Sequence, residues 1–184
     1  LLLVGAGLLL RSFLNLLEVD PGFRKNSVVA VALSLPQSRY NFQQQREFAN
    51  QLLPFIQELP SPLSVGIVSA LPLSPLGREF DMPFSYDGLE VASPSERPTA
   101  KYRAASVGYL EAIGIPLIQG RSFDDFDRED GRKVILINQT MAEKYFPDRE
   151  PMGQILQMPM VGEAEVIGIV GNVRHYGLEA DVQP

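Results

Sequence analysis

Cysteine is absent from the 184 residues. That excludes disulfides, zinc–cysteine sites, iron–sulfur clusters and cysteine nucleophiles. It does not fix the compartment, because an oxidising environment permits disulfides without requiring them. Histidine is almost as scarce: His175 is the single one. Multi-histidine metal sites and most histidine-based catalysis fall with it. Positive charge is in deficit too, with 16 basic against 22 acidic residues and a net charge of −6. A nucleic-acid binder needs a basic face for the phosphates, and this composition does not offer one. No G-x-x-x-x-G-K-[ST] run, G-x-S-x-G turn or S-x-x-K pair occurs. The chain therefore carries no Walker loop and nominates no serine nucleophile. It also lacks a repeat of 20–50 residues and any low-complexity tract.

What is present begins with grease. The chain opens LLLVGAGLLLRSFLNLL, with no polar side chain in positions 1–10 and Arg11 as the first charge. Seventeen helical residues reach about 25 Å, a little short of a ~30 Å hydrocarbon core. Residues 1–17 are expected to be the C-terminal part of a transmembrane helix, with Arg11 able to snorkel to an interface. A cleaved signal peptide would show a basic start and a small-x-small cleavage site, and neither is there. A buried core helix would show a polar stripe, and both faces of 1–10 are apolar. Gly5-Ala6-Gly7 lacks the third glycine of a dinucleotide loop and lies inside this apolar run.

Residues 18–184 read as an α+β body with mixed sheets carrying helices on one face. The run 18–25 is a turn around Pro21-Gly22. VVAVALSL (28–35) alternates like a strand and ends at Pro36. Asn41 and Gln44 have capping-box spacing, and Phe48, Leu52, Phe55, Ile56 and Leu59 recur at helical spacing. This predicts a helix over 42–59, kinked or shortened by Pro54 and stopped at 59–62. A second strand is expected over 63–71. From 72 to 98 the chain turns rich in Pro, Gly, Ser and acids, and reads as an inserted sublobe with a short strand or hairpin near 79–86. A strand over 99–107 leads into a short helix, GYLEAIG. Residues 115–118 are a short extended piece. Strands over 133–138 and 153–158 flank a helix over 139–146. A long strand over 164–175 closes the pattern, bulged near Gly168 or Gly171.

The polar candidates resolve mostly into structure. Asp124, Asp125, Asp127, Glu129 and Asp130 form the densest acidic run. Set on a calcium loop, position 6 falls on Asp130 where glycine is needed, and position 12 on Leu136 in place of glutamate. The acids read instead as the first turn of a short helix after Ser122. His175 is expected to finish the last strand and bond a carbonyl. Asn138 sits in a glycosylation sequon, but a helix N-cap is the better account. Tyr102, Tyr109, Tyr145 and Tyr176 read as core edges. Arg103, Arg121 and Arg174 read as partners for the acidic surface. No catalytic, cofactor-binding or metal-binding residue is assigned.

Six segments in order resemble the MacB-like periplasmic core domain of ABC transporter permeases, in the duplicated-permease branch of that superfamily. They are LLLVGAGLLLRSFLNLLEVDPGF, VVAVALSLPQSRY, VGIVSALPLSPLG, YRAASVGYLEAIGIPLIQGRSF, VILINQTMAEKYFPDREPMGQIL and EVIGIVGNVRHYGLEADVQP. The least familiar part is 77–97. The resemblance implies a porter-like βαβ lobe with an inserted second lobe, held outside the bacterial cytoplasmic membrane and facing the periplasm or cell exterior. It implies a non-catalytic role, without cofactors, in export or handling of a substrate. The implied partners are a separate ATP-binding subunit or domain acting through the rest of the permease, the lipid bilayer via residues 1–17, and a second permease copy. Nucleic acid is not among them. A membrane-anchored extracytoplasmic ligand-binding or sensor domain is the alternative, and a metal-assisted hydrolase built on the 124–130 acids stands third.

Overall fold

Helix α1 spans Leu2–Glu18 and takes up the apolar leader from its second residue. The computed structural model describes every residue except 1, 37, 61–63, 78, 90–92 and 128–130. Leu8, Leu9, Leu10, Phe13 and Leu14 on α1 are between 51% and 74% exposed. The helix thus presents leucine and phenylalanine to its surroundings rather than to the body. No helix among the described residues is long and apolar enough to cross a membrane by itself.

The alternating run 28–35 forms no ladder, and Val29 is 90% and Val31 72% exposed. The strand expected there is an extended segment without a partner strand among the described residues. Helix α2 follows (Phe42–Gln57), opened by the capping box. Asn41 Oδ1 accepts from the Gln44 nitrogen and Gln44 Oε1 from the Asn41 nitrogen, both at 2.9 Å. Two amide groups left open by the first turn are so satisfied. Pro54 does not end the helix, which continues to Gln57. The stop signal at 61–62 and the start of the strand expected over 63–71 lie outside the described residues. The rest of that expected strand is extended chain with two isolated bridges, Val68 to Ala105 and Ala70 to Gly77.

Among the described residues, two sheets form the body. Strands β1 (Phe80–Pro83) and β2 (Thr99–Tyr102) pair antiparallel. The second sheet holds β3 (Leu117–Gly120), β4 (Val134–Asn138), β5 (Ile155–Met158) and β6 (Gly162–Val170). Central β6 has β4 parallel along one edge. Its other edge is shared: β5 pairs antiparallel with its first half and β3 antiparallel with its second. Opposite β4 the register slips so that Ile135 faces Val166 and Leu136 faces Gly168, leaving Ile167 as a bulge. The long strand ends at Val170, earlier than expected: the Gly171 nitrogen still donates to the Pro116 carbonyl at 2.8 Å, but proline has no N–H with which to carry the ladder further. Helices α3 (Tyr109–Ile113) and α4 (Gln139–Tyr145) complete the body.

Among the described residues, two apolar clusters hold it. Phe84, Leu156 and Val166 are essentially fully buried in the larger, with Met82, Ile137, Met141 and Ile169. Among its described residues, the stretch 72–98 therefore supplies Met82 and Phe84 to this core. The smaller cluster is Tyr109, Ile113, Ile115 and Val173, with Phe23 packed against it. Burial of this kind is the main favourable term in folding.

Candidate functional site

The residues next to α1 are tied to the body by backbone hydrogen bonds. Glu18 ends the helix, and the turn that follows is built by its own side chain: the Gly22 nitrogen donates to Asp20 Oδ1 at 2.9 Å. Pro21 is buried. Its carbonyl accepts from the Arg174 nitrogen at 2.9 Å, and the Arg24 nitrogen donates to the Ile113 carbonyl at 2.8 Å. Gly22 has φ +82°, and a Cβ there would lie 1.8 Å from the Asn172 carbonyl oxygen. Only glycine fits that conformation and that gap. The stalk turn is thus seated between the end of α3 and the chain leaving β6, with Phe23 as its apolar pin.

A second polar cluster ties the β1–β2 sheet to the C-terminal segment. The Glu79 carboxylate accepts from Arg103 Nη2 and from the Tyr176 hydroxyl. Lys101 Nζ lies 4.0 Å from Glu79 and 2.8 Å from Asp81. Burial works against the Glu79 charge, but the Tyr176 hydrogen bond and the Arg103 guanidinium outweigh it and hold the carboxyl below its usual range. Partial burial, helped by the Arg103 charge, depresses His175 to about 4. His175 is therefore a neutral imidazole at neutral pH. Its backbone carbonyl accepts from the Leu73 nitrogen at 2.9 Å. The void among Lys101, Arg103, His175 and Gln183 is about 10 Å³, room for roughly one water. A larger open hollow of about 430 Å³ is lined by Arg132, Lys133, Ile155, Glu163 and Glu165. Its cations are engaged, Arg132 with Glu165 at 2.6 Å and Lys133 with the Val161 carbonyl.

The described part of the acidic run, through Asp127, is not a helix turn. Residues 121–127 form a loop with a turn at Asp125-Phe126. Arg121 clamps Asp127 with two bonds, at 2.7 and 2.8 Å, and reaches Asp124 at 3.1 Å. Asp124 Oδ1 accepts from the Phe126 nitrogen at 2.8 Å. The Arg121 hydrogen bonds hold Asp127 below the usual carboxylate range. A cation already occupies these carboxylates, and it is a guanidinium. Glu129 and Asp130 lie outside the described residues. Among the described residues, no three acidic or histidine side chains are placed to hold a metal ion.

The remaining residues singled out in the sequence are placed as follows. Asn138 caps α4, accepting from the Met141 nitrogen at 2.9 Å. Tyr109 is buried at 7%, which pushes its phenol up to about 12, and Tyr102 and Tyr145 are partly buried. Tyr176 is instead 48% exposed, drawn outward to Glu79. Arg103 and Arg121 find acids, whereas Arg174 Nη1 donates to the Ala180 carbonyl at 2.6 Å. His175 stands five residues beyond β6, not at its end. Asn172 and Glu79 carried no signal in the sequence, Gly22 showed only as a turn residue, and Tyr176 read as a core edge. A Pro-Gly pair straight after an apolar helix was the only visible hint of the seat.

The described residues thus form a mixed α+β body entered through an apolar helix, with the turn after that helix seated against α3 and the chain leaving β6. The chain belongs to the family of MacB-like periplasmic core domains, which it matches over residues 27–181, and these are domains of ABC transporter permeases. Among solved structures, the periplasmic region of MacB from Actinobacillus actinomycetemcomitans has a TM-score of 0.53 at 13% identity, covering 92% of this chain and 76% of that one. At that identity the likeness speaks for the fold alone. The extracellular domain of the noncanonic ABC-type transporter YknZ from Gram-positive bacteria has a TM-score of 0.49 at 18% identity, covering 78% of this chain and 66% of that one. No curated protein sequence matches the chain.

Proposed function

We propose that this domain is a non-catalytic lever of an ABC-type permease subunit, held on the outer face of a bacterial cytoplasmic membrane. Residues 1–17 belong to a membrane helix, and 18–184 form the lever with its inserted sublobe near 72–98. A separate ATP-binding subunit or domain moves the membrane helices, and α1 passes that motion to the body. The body then acts on a substrate outside the membrane, in export or handling. A permease dimer would pair two such levers.

The observation that carries the coupling is the seat of the stalk turn. Pro21 and Arg24 are hydrogen-bonded to body backbone within a few residues of α1, and Gly22 lies closely against the Asn172 carbonyl. A flexible linker would dissipate helix movement; a seated turn passes it on. The exposed leucines and Phe13 of α1 suit a lipid or helix-bundle environment better than water.

The test uses the whole permease with its ATP-binding partner. A Glu179→Cys variant should react with a membrane-impermeant maleimide in intact spheroplasts. Gly22→Val should leave ATP hydrolysis running while substrate movement stops. Labelling only after lysis would overturn the placement. Undiminished substrate movement in Gly22→Val would overturn the lever.

A further inference from the structure

We propose that Asn172 is a positioning residue that locks the stalk turn to helix α4, so that movement arriving through α1 reaches the sheet as one rigid piece. The proposal deepens the lever reading and rests on it.

Asn172 follows β6, two residues past its last ladder residue Val170. Its main chain faces the stalk. The carbonyl closes over Gly22, and neighbouring Arg174 donates from its nitrogen to Pro21 at 2.9 Å. Val173 between them is buried in the cluster against which Phe23 packs. The Asn172 side chain reaches another element. Its Oδ1 accepts from the Thr140 nitrogen and from Thr140 Oγ1, each at 3.0 Å. The Thr140 nitrogen is one of the first-turn donors that α4 cannot satisfy internally. The next one, on Met141, is taken by Asn138 Oδ1. Met141 is buried in the main cluster with Val166 and Ile169. One residue therefore meets the stalk with its backbone and the start of α4 with its side chain.

The chemistry explains the residue type. A carbonyl oxygen has two acceptor positions, and Thr140 offers two donors. Apolar contact is non-directional and lets surfaces slide, whereas two hydrogen bonds converging on one atom fix position. Aspartate would keep both bonds. Leucine, of similar size, would keep neither.

The experiment labels Glu18→Cys and Lys144→Cys with nitroxides in an otherwise cysteine-free permease, reconstituted with its ATP-binding partner. This domain adds no cysteine of its own. The stalk-to-α4 distance is read by pulsed EPR with and without nucleotide, and the depth of the Lys144→Cys label by collision with a lipid-phase relaxant. Wild type should give one narrow distance in both states. Asn172→Leu should at least double the width and halve the nucleotide-driven change at the α4 label, and Asn172→Asp should restore both. Equal widths in wild type and Asn172→Leu would overturn the proposal. If Asn172→Leu fails to fold, Thr140→Val removes one of the two bonds and should widen the distribution by a smaller amount; an unchanged width there overturns it equally. A wild-type α4 label that never responds to nucleotide sinks the lever reading instead, while the width comparison still decides the role of Asn172.

Discussion

The backbone nitrogen of Arg174 donates to the carbonyl of Pro21 at 2.9 Å, so a residue near the end of the chain holds the turn that directly follows the first helix. Beside that bond, Gly22 leaves no room for a side chain. Gly22→Ala should lower stability by at least about 1–2 kcal/mol from the left-handed backbone alone, and the clash with Asn172 adds to it. Urea unfolding followed by tyrosine fluorescence reads this. A midpoint equal to wild type would show that the seat gives way cheaply.

Acid should loosen the region of His175. Its folded value of about 4 lies below the ordinary 6.5, so the folded state resists the proton that the unfolded chain accepts. Stability is then unaffected above about 6.5 and falls as pH drops from there towards 4. Because the ring is only partly buried, the loss at pH 5 should be about 1 kcal/mol. His175→Asn should flatten the decline between pH 7 and 5 in urea midpoints.

Glu79 should add a second, more acidic step. Its carboxyl lies below the ordinary 4.5. The stability it contributes is present above that value and is lost as pH falls through the lowered one. Glu79→Gln removes the charge facing Arg103 and Lys101, at about 1 kcal/mol for so partly exposed a site. Amide exchange should quicken at Leu73 and Lys101, whose nitrogens donate to the carbonyls of His175 and Pro184.

Leu156 is 0% exposed at the centre of the larger cluster. Leu156→Ala should cost about 2–5 kcal/mol through lost burial and the cavity left behind. A thermal melt gives the value directly.

Calcium, magnesium and manganese should bind no more than weakly at the acidic loop, since Arg121 already takes two bonds to Asp127. Titration calorimetry should show no stoichiometric heat. A 1:1 uptake lost in Asp127→Asn would revive the hydrolase alternative.

Local signals were legible where the chain completes them alone. The Asn41–Gln44 box opens α2, and Asn138 opens α4. The strand at 133–138 and the bulge near Gly168 were also readable, from an apolar run and an interrupting glycine. Long-range pairing was not. Val29 and Val31 alternate as a strand should, yet no neighbour among the described residues pairs with them, because alternation says nothing about who pairs. The end of β6 at Val170 lies opposite Pro116, far away in sequence, whose missing N–H cannot extend the ladder. The seat was invisible for the same reason: Pro-Gly announces a turn, but its docking surface is made by Ile113, Asn172 and Arg174. Glu79 and Tyr176 carried no motif, and only the fold brings them together.

Val29 at 90%, Val31 at 72% and Leu33 at 59% exposed have a bearing at the bench. Unpaired extended backbone bearing such side chains is what zips molecules edge to edge. Material purified without detergent should clump as concentration rises, and a lysine at position 29 or 31 is the first remedy for anyone growing crystals.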